Sequence, residues 1–361
     1  MIKIIKNLSL ILLTSFSLIL PSGCGESKTY NYDDYIIKLN VSKNEPFKIM
    51  QLSDLHLGIN GDIQKQYQFL RENIFESKPN LIVLTGDSFI YATRELVYDF
   101  IGFLNETIDD LEKELNRRVY YTYTYGNHDL QGNYDYYFIN NALLEDSKKA
   151  SSSCLFIDYK DDDLTGNTNF CIDLYDEDNE NDLLYRFYII DSNTYHANVA
   201  DYDYDVIHQD QLDHINNIHE NTNDKDYCGL AFFHIPLFEF QTANDIKDEN
   251  STSYPRVVDY IGENNEDTGV GYTDEFKPYD VLYDCNVRGI FVGHDHLNYS
   301  SIEFIKSSER NESVILSYGV KSTNQIYHDD NILGYKEANL DLNNPHLSLD
   351  NINIVKDKKY E

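Results

Sequence analysis

Short apolar runs that stop at small or polar residues alternate, through the first third of the chain, with longer stretches of helical spacing. Residues 47–52 read as a buried strand bounded by Pro46 and Ser53. Over 63–77, Ile63, Tyr67, Leu70 and Ile74 recur on one helical stripe, and Pro79 stops it. Residues 81–84 give a second buried strand. A longer helix follows over 95–115, with Leu96, Phe100, Phe103, Leu104, Ile108, Leu111 and Leu115 apolar, and then a third strand over 119–125. Strand-then-turn units separated by helices predict a layered α/β sheet whose loops gather at one edge, where ligands bind in such sheets.

The rest of the pattern is less regular. Residues 35–41 predict an earlier strand. Between 133 and 205 the chain is acidic and rich in tyrosine, with two strand-like runs, 154–159 and 169–175, around a turn signal at 163–167, and a strong strand over 185–190. A helix is expected over 208–218 and a strand over 227–233, closed by Pro236. Residues 240–277 show little periodicity and predict a long inserted loop, suited to a substrate lid or a surface excursion. After a short helix over 276–284 and a strand over 287–292, the runs 299–305, 313–318, 333–342 and 347–355 predict strands completing a second sheet.

A hydrophobic share of 41% and an aromatic share of 14% support a packed α/β domain over 45–361 rather than a disordered chain. The net charge of −33, from 62 acidic and 29 basic residues, would repel polyanions, so a nucleic acid polymer is not an expected partner. The ends of the chain differ in character. Lys3 and Lys6 precede an apolar run over 8–20, followed by Pro21-Ser22-Gly23-Cys24. As a helix that run would reach about 20 Å, short of a hydrocarbon core of roughly 30 Å, so 1–23 predicts a secretion signal. Small residues before a cysteine resemble the lipobox of bacterial lipoproteins, although Pro21 stands where an aliphatic residue is usual. The expectation is an exported protein, with Cys24 lipidated at the outer face of the cell membrane and 24–44 as a tether, or a secreted one.

Export permits disulfides. If 154–159 and 169–175 paired as a hairpin, Cys154 and Cys171 could face one another; Cys228 and Cys285 are expected as small core residues, and no CxxC spacing offers a thiolate zinc site.

Five apolar runs end in candidate chemistry: Asp54 and His56 after 47–52, Gly86-Asp87 after 81–84, Gly126-Asn127-His128-Asp129 after 119–125, then His234, and Gly293-His294-Asp295-His296. In an extended segment Asp54 and His56 would point to the same side, with Leu55 toward the core. Carboxylate and amide oxygens mixed with imidazoles, without thiolates, suit Mn, Fe, Zn or Co. Shared between two ions about 3.5–4 Å apart, such ligands favour in-line phosphoryl displacement, with a histidine beside them as general acid. Taken singly each segment could be structural, its glycine a turn residue; five in this order, all at strand ends, point to a site.

The ordered set Asp-x-His, Gly-Asp, Gly-Asn-His-Asp, His and Gly-His-x-His resembles the calcineurin-like metallophosphoesterase superfamily. "IMQLSDLHLG", "LIVLTGDS", "FHIPL" and "GIFVGHDHLN" look most like its Dcr2-type and purple-acid-phosphatase-29-type branch. The resemblance implies a four-layer αββα sandwich with two mixed sheets and two metal ions. Asp54, His56 and His296 would hold one ion and Asn127, His234 and His294 the other, with Asp87 bridging. His128 would donate the proton, with Asp129 orienting or tuning it. Purple acid phosphatases place a tyrosine ligand three residues after the bridging aspartate; here that position is Ile90, and Tyr91 is one residue late. No tyrosinate ligand is expected.

The implied activity is hydrolysis of small phosphate esters, monoesters foremost, by a water activated between the ions. Phosphodiester hydrolysis of nucleotides or cyclic nucleotides uses the same site, and a binding or scaffold protein with lapsed catalysis is the reading from another class.

Overall fold

The structure, a computed structural model, describes residues 31–360 apart from 59–60, 132–136, 158–163, 197–202, 224 and 250, and of Tyr137 the backbone only. The expected secretion signal, Cys24 and residues 25–30 of the tether lie outside the described residues, while a strand, Ile36–Val41, falls within the rest of that tether. In chain order the elements are β1 (Ile36–Val41), β2 (Phe47–Leu52), α1 (Ile63–Ser77), β3 (Leu81–Thr85), α2 (Arg94–Leu115), β4 (Tyr120–Thr124), α3 (Tyr137–Ser147), β5 (Asn169–Asp176), β6 (Asn179–Ile190) and α4 (Gln209–Glu220). There follow β7 (Cys228–Phe232), α5 (Phe238–Ile246), β8 (Arg256–Ile261), α6 (Pro278–Asp284), β9 (Val287–Val292), β10 (Ser301–Ile305), β11 (Val314–Tyr318), β12 (Tyr335–Leu340) and β13 (Ile352–Val355).

Local chemistry sets the helix limits. Asp62 caps α1 by accepting from the Gln64 amide at 3.1 Å, and Lys78 ends it in the left-handed region at φ 53°. Thr93 caps α2 through the Leu96 amide at 3.2 Å, and Asn116 closes it at φ 52°.

Two sheets face each other. The smaller runs β13-β12-β2-β3-β4, and the larger runs β1-β5-β6-β7-β9-β11-β10-β8. Both mix parallel and antiparallel pairs. Helices α1 to α3 pack on the smaller sheet through residues such as Leu70, Ile74, Phe100, Leu104 and Leu143, all buried in the first core with residues of both sheets. Helices α4 to α6 cover the outer face of the larger sheet in a second core that holds Leu212, Ile215, Phe240 and Leu282. The result is the αββα order of layers.

Between the sheets Phe47 meets Phe187 with ring centroids 6.1 Å apart. Polar ties cross the same interface. The Thr124 hydroxyl donates to the Ile190 carbonyl at 2.5 Å, and Gln51 Nε2 donates to Thr85 Oγ1 and the Val292 carbonyl, both at 2.9 Å. Lys336 of β12 is buried, and its Nζ lies 2.9–3.2 Å from the carbonyls of Tyr299 and Ser300 and the hydroxyls of Ser301 and Ser317.

Register brings the chemistry to one level. Leu52 pairs with Leu84 and Leu84 with Tyr123, so the turns after β2, β3 and β4 emerge side by side. Phe232 pairs with Phe291, which does the same for the turns after β7 and β9 in the other sheet.

Several expectations are corrected. The hairpin is β5–β6, not 154–159 with 169–175. Cys154 packs against α3, its Sγ 3.6 Å from the Leu143 carbonyl, whereas Cys171 lies in the core with α4 to α6, so the two do not form a disulfide. Cys228 and Cys285 are buried, as expected. The stretch 240–277 is not a plain loop. It begins in α5 and supplies β8, which pairs with β10 as an edge strand. The last four strands do not form one sheet: β10 and β11 extend the larger sheet, and β12 and β13 extend the smaller. Helix α3, in the acidic tyrosine-rich region, was not apparent from the spacing; its apolar residues cluster in sequence rather than along a stripe.

Candidate metal centre

The site forms where the strand-end turns of the two sheets meet. After β2 the backbone leaves the extended conformation, with Asp54 at φ 58° and His56 at φ 49°. The two side chains therefore reach the same site through a left-handed turn and not by strand alternation, while Leu55 between them is buried in the core. Asp87 and His294 also have positive φ, at 51° and 78°. Such non-glycine residues cost about 1–3 kcal/mol each and persist where the surroundings over-determine them. Here the surroundings do so. The Asp54 amide donates to the Gly86 carbonyl at 3.2 Å, His56 to Asp87 at 2.8 Å and Leu57 to Ser88 at 2.9 Å, which zips the first two turns together. Lys321 holds the Asp54 carbonyl at 2.8 Å.

Two motif glycines are required by close approach. A Cβ on Gly126 would overlap Asp87, and one on Gly293 would overlap the Ser53 hydroxyl.

Six side chains converge, and they and Asn127 on the adjoining turn are all buried. Asp54, His56 and His296 form one cluster and Asp87, His234 and His294 a second, with the donor atoms of each within 4.8 Å of one another. His56 Nε2 lies 2.9 Å from His296 Nε2, and His294 Nδ1 lies 3.4 Å from His234 Nε2. Asp87 Oδ2 stands between the clusters, 3.1 Å from His234 Nε2 and 3.8 Å from His56 Nε2. Asn127 directs a buried Oδ1 that has no hydrogen-bond partner. His128 is the open member, with its side chain 26% exposed and Nε2 4.0 Å from Asp87 Oδ2.

The hydrogen bonds behind these rings fix which nitrogen faces inward. His234 Nδ1 lies 2.8 Å from the Thr85 carbonyl and His296 Nδ1 2.9 Å from the Tyr327 carbonyl, so each Nδ1 carries hydrogen and Nε2 is the nitrogen that would offer its lone pair to an ion. Lone pairs converging with carboxylate and amide oxygens, and no thiolate, form a donor set that fits two divalent metal ions.

Burial and the close charges of the cluster compete at each of these groups. Burial pushes the Asp54 carboxyl up, but His296, His234 and Lys321 outweigh it and hold the group well below the usual carboxylate range. Burial lowers His234, and Asp87 more than compensates, raising it to about 10. Burial and the neighbouring His234 push His294 down to about 3.

Residues 47–298 match the calcineurin-like phosphoesterase family, a span that takes in all nine predicted site residues. The chain belongs to the calcineurin-like phosphoesterase family.

Among relatives of this phosphoesterase, "Probable inactive purple acid phosphatase 29" of Arabidopsis thaliana is 24% identical over 294 residues, covering 72% of this chain and 69% of that protein. "Phosphatase DCR2" of Saccharomyces cerevisiae is 26% identical over 283 residues, again 72% of this chain but 46% of the yeast protein, so the chain spans about half its length. Among solved structures, a dimetal phosphatase from Danio rerio is 12% identical with a TM-score of 0.44, covering 82% of this chain and 93% of that one. GAP50, the anchor in the inner membrane complex of Plasmodium, is 14% identical with a TM-score of 0.43, covering 87% and 90%.

The phosphoesterase site departs from expectation in one residue. The Asp129 carboxylate does not touch the His128 ring. It accepts from the amides of Gly126 at 2.8 Å, Phe89 at 2.8 Å and Asp87 at 3.0 Å, and so fastens the third turn to the second. Burial, and then Asp87, push its carboxyl up to about 7. The partner of His128 is Gln131, whose Oε1 lies 2.8 Å from Nδ1. Tyr91 is 63% exposed, while Ile90 is buried.

Sequence reasoning also missed Gln131, Tyr195, Tyr204, Lys321 and Tyr327. Tyr204 meets the His294 ring edge-on at 4.2 Å, and Tyr327 stacks on His296 at 4.2 Å. Gln131 could have been found from its place three residues beyond His128 in a turn. The tyrosines are single residues in a tyrosine-rich chain and carry no local signal.

Proposed function

We propose that this chain is a dinuclear phosphoesterase acting on small phosphate esters, monoesters foremost, and exported to the outer face of the cell membrane. The observation that carries the reading is the pair of buried donor clusters joined across Asp87, with His128 on their open side. Asp54, His56 and His296 would hold one ion, and Asn127, His234 and His294 the other, with Asp87 facing both. When bound, the ions supply Lewis acidity toward phosphoryl oxygens and make a bound water more acidic. Mn, Fe, Zn and Co all suit these donors.

The chain's own residues account for the remainder. The Asp87 carboxylate is held from behind by the His128 amide, which donates to its Oδ1 at 2.7 Å and leaves Oδ2 toward the ligand cluster. His128 Nε2, beside that oxygen and open to solvent, is placed to give a proton to the departing alkoxide. The Arabidopsis relative is named as inactive, which is the ground for the alternative reading of lapsed catalysis. What supports activity here is that every ligand position and the proton donor are filled.

The test is turnover of p-nitrophenyl phosphate and its bis-ester by the full chain, stripped of metal and resupplied with Mn, Fe, Zn or Co. Faster monoester turnover is expected. Preference for the bis-ester would move the reading to a phosphodiesterase, and no turnover of either with any metal would favour the scaffold reading. Export rests on residues 1–24; Cys24→Ala is expected to release the protein from the membrane fraction.

A further inference from the structure

Gln131 and Tyr195 set the orientation of His128 and Asn127, although neither belongs to a motif. Gln131 lies in the turn that carries His128, its amide donating to the His128 carbonyl at 3.0 Å. Its Oε1 is 2.8 Å from His128 Nδ1, and an amide oxygen only accepts. The hydrogen therefore sits on Nδ1, and Nε2 is the atom presented to the cleft. Gln131 Nε2 in turn donates to the Tyr195 hydroxyl at 3.3 Å.

The same hydroxyl accepts from Asn127 Nδ2 at 3.0 Å. That contact occupies the nitrogen end of the Asn127 amide and leaves Oδ1, buried and without a partner, as the end free to bind an ion. The segment carrying Tyr195 is tied back to the turn by Thr194 Oγ1, which donates to the Asn127 carbonyl at 3.2 Å. Contacts that merely stapled two loops would be indifferent to which end of each amide they used. In both amides the end engaged is the one that frees the functional atom.

We propose that Gln131 and Tyr195 are positioning residues of this site. Gln131 holds His128 through Nδ1, and Tyr195 holds the amides of Gln131 and Asn127. This rests on the reading of His128 as the proton donor. Asp129, the acidic neighbour, is fully engaged by three backbone amides.

The test uses the full chain with p-nitrophenyl phosphate, phenyl phosphate and an alkyl phosphate, in rising order of leaving-group basicity. Loss of a general acid costs most where the leaving group most needs a proton. His128→Ala should lose rate more steeply along that series. Gln131→Met should repeat the slope, with about a tenfold loss of kcat on the alkyl ester, little on p-nitrophenyl phosphate and an unchanged KM. Gln131→Glu, which keeps the acceptor, should recover most of it. Tyr195→Phe should add a loss of about tenfold in metal affinity, measured by calorimetric titration.

A second readout needs no turnover: side-chain ¹⁵N shifts of the metal-free protein, with His128 assigned by its disappearance in His128→Ala. The ring should be protonated at Nδ1 in the parent and lose that preference in Gln131→Met. A loss equal across leaving groups, no loss at all, or a tautomer independent of Gln131 would overturn the proposal. A flat series for His128→Ala would instead remove the general-acid reading, while the nitrogen shifts still decide the Gln131 contact.

Discussion

Asp54, Asp87 and His234 form a floor in which each side chain is almost fully buried and the backbone behind it is bonded across strands or sheets. His128, at 26% side-chain exposure, belongs to a wall in which one turn and one glutamine hold the ring, with Tyr195 and Tyr204 arriving from a distant loop. The floor is over-determined, so its parts should fail together; the wall is singly held, so its parts should fail separately. A floor of this kind fixes where charge can be bound. A wall of this kind decides how a proton and a leaving group meet it.

The largest effect should come from Asp87→Asn, which removes the carboxylate that both clusters share. Bound metal, measured by atomic absorption, is expected to fall from two ions per chain to one or none, with turnover down by at least about 10²-fold. If both ions remained with near-parental turnover, the floor would not be the unit described here. Next, Gly293→Ala forces a Cβ against the Ser53 hydroxyl, in contact with Asp54. It should cost about 1–3 kcal/mol in denaturant unfolding and loosen metal with it.

A wall substitution should separate these outcomes. His128→Ala is expected to lower turnover by roughly 10²-fold while metal content and melting temperature stay near parental values. Loss of metal in that variant would merge wall and floor. A smaller effect concerns the loop that carries Tyr195 and Tyr204. Its Asp205 faces His208 Nε2 at 2.9 Å, and that contact raises the His208 pKa although burial opposes it. Asp210 is the other charge acting on the ring. Since the folded value is the higher one, the pair's stabilisation is complete below about pH 6.5 and is lost as pH rises through the folded value. The difference in melting temperature between the parent and His208→Gln should therefore shrink as pH rises; a constant difference would mean that the pair contributes nothing by charge. Smallest of all, Tyr91→Phe on the exposed surface should leave turnover, metal content and absorption spectrum unchanged.

Floor and wall also differ in how far the sequence reveals them. The ligands Asp54, His56, Asp87, Asn127, His234, His294 and His296 each follow an apolar strand that declares itself by composition, and their glycines mark the turns. Strand ends are local events, so the order of the motifs survives in one dimension. The conformation did not survive: Asp54 and His56 converge through left-handed backbone that alternation along a strand cannot foresee. Asp129 illustrates the limit. Adjacent to His128 in the chain, it is spent on the amides of Gly126, Asp87 and Phe89, because a buried carboxylate goes where several donors converge and not to its nearest neighbour in sequence.

What the sequence determined by itself was the set of elements β2, α1, β3, α2, β4, β7 and β9, the donor types at their ends, and through them the family. Those features depend on hydrophobic period, caps and turns acting over a few residues. Tertiary structure alone decided the sheet to which each late strand belongs, the separation of Cys154 from Cys171, the strand hidden in 240–277, and the pairing of His128 with Gln131 and of Asn127 with Tyr195. Those depend on which surfaces bury one another and on which donors meet which acceptors once the layers have closed, and residues far apart in the chain carry no mark of that in their local pattern.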